Sequence, residues 1–140
     1  MKAAEAEQPA AAPAANPPQP PPRAQWEAML QQVETALATQ PEAPALLFQR
    51  ACLLAELGRI PEARNEYIKV LQREPSHLGA LNNLGNLLLA AGYRSAARIA
   101  YQEAVRLHPD DPMSRTNLGN VLLTESQMQM ALEKPADSSS

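Results

Sequence analysis

The sequence predicts an all-α protein: an α-solenoid of antiparallel helix pairs, about two full units flanked by a half unit at each end. Three observations predict it. Pro41, Pro75 and Pro109 stand 34 residues apart. Most of what lies between them recurs at the same interval, with Leu54 returning as Leu88 and Leu122, and Ala63 as Ala97 and Ala131. Gly58 likewise returns as Gly92, Tyr67 as Tyr101, and Gly85 as Gly119. A fixed period of this length belongs to stacked helix–turn–helix units. Third, Leu81, Leu84, Gly85 and Leu88 fall on one stripe of a 3.6-residue helix.

The chain of 140 residues has room for one domain. Residues 1–23 read as a disordered leader, because seven of the 14 prolines fall in the first 22 residues among runs of alanine. Glu5, Glu7 and Pro9 interrupt the apolar stretch that a signal peptide needs. No run is long enough to span a bilayer, so no membrane partner is expected and a cytoplasmic location is the default. Net charge is −3 with no basic cluster, which argues against nucleic acid. Cys52 is the only cysteine, and neither a disulfide nor a zinc site can be built on it.

A capping helix is expected over 24–41, in phase with the second helix of a unit. Met29 takes the place of the small alanine there, and Trp26 covers apolar surface. The first full unit is 44–77. Pro44 opens its first helix, Gly58 ends it in a left-handed conformation, and Pro61 opens the second. The second unit is 78–111, with Ser76 as the expected cap and Gly92 as the turn. Asp111 followed by Pro112 starts a truncated third unit, 112–134, before a disordered tail, 135–140. Pro135 falls where Tyr67 and Tyr101 fall in their units, and Ser126 replaces the turn glycine. Two outcomes are open: a short second helix over about 127–134, or one continuous helix over about 112–133. Either leaves Leu118, Val121, Leu122, Met128 and Leu132 short of cover and available for self-association.

The second unit places Leu81, Leu84, Gly85, Leu88, Gly92, Ala97, Tyr101, Ala104 and Pro109 on signature positions of the tetratricopeptide repeat family, which the chain resembles. That resemblance implies a concave surface formed by positions 2, 5, 6, 9, 12 and 13 of each first helix. On it stand Phe48 and Gln49, then Asn82, Asn83 and Asn86, then Asn117 and Asn120. Asparagine is a poor mid-helix residue, so five on one face need a reason. A carboxamide both donates and accepts, as a peptide main chain does. The arrangement is similar to the asparagine ladder of O-linked N-acetylglucosamine transferases, which implies binding of an extended polypeptide. The other reading is that the amides bind neighbouring helices and only brace the stack.

By the same resemblance, a carboxylate clamp for acidic chaperone tails requires basic residues that this stripe lacks. Phe48 and Cys52 stand where lysine and asparagine belong, and only Asn83 fits. No nucleophile–base pair, phosphate-binding glycine loop or metal-ligand cluster is present in motif spacing, so no enzyme, cofactor or metal is expected. The sequence therefore reads as a protein-interaction scaffold binding an extended peptide or partner protein weakly. Its alternatives are the substrate-guiding arm of a larger glycosyltransferase and an oligomerisation element. His77 and His108 are expected in solvent-exposed turns, and Arg50, on a usually apolar position, is expected to snorkel outward or pair with a glutamate.

Overall fold

The computed structural model describes residues 22–133. The tail 135–140, Pro135 and nearly all of the leader lie outside these residues. Six helices follow one another: α1 Arg23–Thr39, α2 Pro44–Glu56, α3 Ile60–Arg73, α4 Leu78–Ala90, α5 Arg94–Leu107 and α6 Pro112–Glu133. Each packs on the next in order, so α2 pairs with α3 and α4 with α5, while α1 and α6 cap the two ends. None of these helices is long and apolar enough to cross a membrane.

Glycine makes the turn inside each full unit. Gly58 and Gly92 have φ of +80° and +93°, the left-handed region that a side chain resists. The chain then doubles back, Arg59 N–H donating to the Leu54 carbonyl at 2.9 Å and Tyr93 N–H to that of Leu88 at 2.8 Å. The third unit has Ser126 at this point, and α6 runs on unbroken to Glu133. Of the two expected outcomes, the continuous helix is the one that forms.

The core runs through the pairs. Leu47, Leu54, Ala63, Tyr67, Val70 and Leu84 form its main body. A smaller cluster of Ala97, Tyr101 and Val121 joins α5 to α6. Val121 is therefore misplaced among the uncovered residues expected above: it is 2% exposed and packs on the α5 seam. Leu118 is half-buried, and Leu122, Met128 and Leu132 are exposed.

Three further details correct or complete the sequence reading. Arg23 belongs to α1 and not to the leader, because its guanidinium donates to the Leu57 carbonyl at 3.2 Å, at the C-terminal end of α2 where a cation is favoured. His77, not Ser76, caps α4: its Nδ1 accepts from Ala80 N–H at 3.0 Å. His108 Nε2 lies 2.6 Å from the Ser76 carbonyl, which ties consecutive turns together. Neither histidine is a free surface group. Arg50 does pair, bridging Glu34 on α1 at 3.1 Å and Glu66 on α3 at 3.0 Å. Glu66 is buried, and Arg50 with Lys69, 3.4 Å from its other oxygen, supplies the charge that lets a carboxylate stand there.

Close approach within a unit rests on Gly85. A Cβ added there would meet the Tyr101 ring at 2.4 Å, whereas one added at Gly119 would meet nothing within 4 Å. Identical substitutions should therefore have opposite signs. Gly85→Ala is expected to destabilise by about 1–3 kcal/mol through overpacking. Gly119→Ala should stabilise by up to about 1 kcal/mol through helix propensity alone. Urea unfolding of both variants checks this, and equal effects would show that the two glycines sit in like surroundings.

Candidate binding face

The inner positions of α2, α4 and α6 carry the residues expected to bind. Between the C-terminal half of α2 and α4 lies a cleft of about 400 Å³, lined by Cys52, Glu56, Ile60, Tyr67, Asn83 and Asn86 among others. A second cleft, of about 340 Å³, lies between α1 and α2, where Met29, Val33, Phe48 and Gln49 meet Cys52. The two share Cys52 and so flank the same ridge of α2.

Asn83 and Asn86 are one turn apart, and the scaffold holds one end of each amide. Asn83 Nδ2 donates to Cys52 Sγ at 3.6 Å, which also accepts from the Tyr67 hydroxyl at 3.4 Å. The Tyr101 hydroxyl donates to Asn86 Oδ1 at 2.5 Å. Burial raises the Tyr67 phenol far above its ordinary value, with the bond to Cys52 adding to the shift. Burial also raises Tyr101. Both phenols stay protonated at physiological pH and remain donors. Asn83 is left with Oδ1 and Asn86 with Nδ2: one acceptor and one donor in one cleft.

The other expected residues divide. Asn82 is buried and spends its amide on bracing, donating to Ser114 Oγ on α6 at 2.9 Å. It belongs to the seam between units and not to the binding stripe. Asn117 turns Nδ2 inward, where among the described residues no acceptor meets it. Gln49 and Asn120 are exposed. The Phe48 ring is half-buried, 4.6 Å from His77 and 6.0 Å edge-on from Tyr67 between centroids. Sequence reasoning missed the hydrogen bonds that the Tyr67 and Tyr101 hydroxyls make to Cys52 and Asn86. A signal existed, because each tyrosine follows its stripe residue by 15 positions, Cys52 to Tyr67 and Asn86 to Tyr101.

Stacked antiparallel pairs with a tyrosine-braced inner face define a helical-repeat scaffold. The chain belongs to the tetratricopeptide repeat family, whose model matches residues 25–76, 48–112 and 82–137. It is 26% identical over 107 residues to human tetratricopeptide repeat protein 13, an alignment covering 76% of this chain and 12% of that protein. Among solved structures it is similar to the Sgt2 domain from Aspergillus fumigatus, with TM-score 0.71, 18% identity, and 81% and 77% of the two chains covered. The first such domain of Spaghetti (RPAP3), bound to the HSP90 peptide SRMEEVD, superposes with TM-score 0.68 at 15% identity over 74% and 82%. A repeat protein from Parabacteroides merdae gives 0.66 at 22% over 71% and 39%. At these identities the structural likeness is one of fold.

The seam beside the cleft has its own titration. Asp111 Oδ2 accepts from the Ser114 hydroxyl at 2.6 Å and from Ser114 N–H at 2.8 Å. These bonds hold the Asp111 carboxyl below its ordinary value. Its contribution to stability is thus fully present above the unfolded-state value of about 3.9 and fades as pH falls through the lower folded one. Acid unfolding of Asp111→Asn and of the unaltered protein should differ in slope below about pH 4 and run parallel above it. Curves parallel throughout would mean that the carboxylate form is not selectively bound.

Proposed function

We propose that the chain is a protein-interaction module that holds the main chain of an extended peptide against α2 and α4. The observation that carries this is the pair Asn83 Oδ1 and Asn86 Nδ2, each amide held at its other end by the scaffold. An acceptor and a donor side by side match the N–H and C=O of a peptide residue whatever its side chain. Pre-orientation lowers the cost of binding, since the tyrosine and cysteine contacts have already set which end of each amide faces outward.

Charge narrows the ligand class. The inner residues named above include no lysine or arginine, and Glu56 places a carboxylate in the cleft. An acidic tail such as SRMEEVD finds no counter-charge there, so a neutral peptide is the fitting partner. Each neutral hydrogen bond contributes about 0.5–1.5 kcal/mol net, which places affinity at roughly micromolar or weaker. Calorimetry with a blocked neutral peptide should show Asn83→Ala with Asn86→Ala weakening binding about tenfold. SRMEEVD should give no measurable heat. Tight binding of SRMEEVD, or indifference to the double substitution, would sink the reading.

A second reading, self-association, is favoured by α6, where among the described residues Leu122, Met128 and Leu132 are left 44%, 45% and 80% exposed. Sedimentation should show a concentration-dependent dimer that Leu122→Glu with Leu132→Glu abolishes. A monomer at every concentration removes this reading and leaves the cleft untouched.

A further inference from the structure

The cleft between α1 and α2 has a different chemistry from its neighbour, and the difference comes from Met29. The equivalent residues of the following units, Ala63 and Ala97, are 0% exposed and pressed between helices. Among the described residues no helix precedes α1. Met29 is accordingly large and 46% exposed, and it stands over α2 as a wall. Val33 and Leu53 form the apolar floor, and Phe48 closes one side. Phe48 is the one aromatic on its position, where the next units have Asn82 and Thr116.

The Phe48 ring is held between Tyr67 and His77, and its edge approaches so near to Gly79 that an added Cβ there would lie 2.9 Å away. These contacts hold the ring at the edge of the recess. A preformed apolar recess of about 340 Å³, open beside an amide-lined cleft, has the form of a side-chain anchor site. Gln32 and Gln49 are the polar groups on its rim, and neither carries charge.

We propose that this recess takes one large aliphatic side chain of the peptide whose main chain lies on Asn83 and Asn86. The inference rests on the main-chain reading above and gives it selectivity. The amide pair meets every peptide alike, whereas the recess discriminates leucine from alanine and from a charged residue. Charge supports this occupant over an acidic or basic one. An ionised side chain entering here would lose hydration with no opposite charge to meet it.

The test uses the full chain and two blocked neutral heptapeptides that differ only in leucine or alanine at the central position. Calorimetry should give the leucine peptide an advantage of roughly tenfold or more, tenfold being the low end for a single methylene in an apolar pocket. Met29→Glu should collapse that ratio towards one. Gln32→Glu, on the exposed rim, should reduce it in the same direction and serves if Met29→Glu misfolds. Asn83→Ala with Asn86→Ala should weaken both peptides and preserve the ratio. Equal binding of the two peptides to the unaltered protein overturns the anchor, as does a ratio that neither acidic substitution changes. In both cases a loss of binding on removing Asn83 and Asn86 leaves the main-chain reading standing. Binding of neither peptide removes both.

Discussion

Everything in this molecule turns on where each unit puts its tyrosine. Tyr67 and Tyr101 are 2% and 1% exposed. The Tyr101 ring fills the space that Gly85 leaves on the facing helix. A phenol so placed has its hydroxyl to satisfy, and an unmade bond there costs about 1–3 kcal/mol. The hydroxyls reach Cys52 and Asn86 on the inner face. Packing and binding chemistry are thus one constraint: the ring closes the pair while its oxygen orients the groove. α6 shows the converse. Among the described residues nothing lies within 4 Å of a Cβ added at Gly119, and Asn120, which corresponds to Asn86, has no tyrosine hydroxyl to hold it.

The seam between units solves one problem in two ways. In the earlier junction the cap is His77, which accepts from Ala80 N–H and packs on the Phe48 ring. One period later the cap is Asp111, which accepts from Ser114 N–H, while Ser114 binds Asn82. The three positions correspond at intervals of 34 residues. A tilted ring contact in one becomes a hydrogen-bonded chain in the other. An apolar ring at Phe48 leaves the inner face greasy near α1, and the polar version buries Asn82 and leaves Asn83 and Asn86 to face the cleft.

Much of the fold was legible because it depends on period and on residues with one structural meaning. Gly58 and Gly92 mark turns because only glycine is at ease there, and Gly85 with Tyr101 marks close approach. The amides were harder. Five asparagines looked alike in sequence, yet Asn82 is sequestered by Ser114, 32 positions away on α6, whereas Asn83 has only its Nδ2 engaged, by the Cys52 sulfur on α2. A helical stripe assigns a face but not a partner. The cap of α4 lay one residue later than expected because histidine, rarely counted among capping residues, presents an acceptor nitrogen at the right place. α6 was undecided in sequence because serine in place of glycine removes a stop signal without supplying a reason to continue.

An inner face whose clefts hold a single carboxylate, Glu56, and no lysine or arginine has a consequence for how selectivity can arise. Charged grooves recruit partners from a distance and reject like charge. In the proposed complex the amides would meet the main chain, which all peptides share, and with so little charge in the clefts association would be governed by short-range fit. Discrimination must then come from shape. The recess beside Met29, Val33 and Phe48 is the place on the face where a side chain can be enclosed on several sides. Its Phe48 wall is held by the ring's contacts with Tyr67 and His77. On the proposed reading, a face built this way would recognise an extended chain by one anchored residue and tolerate the remainder.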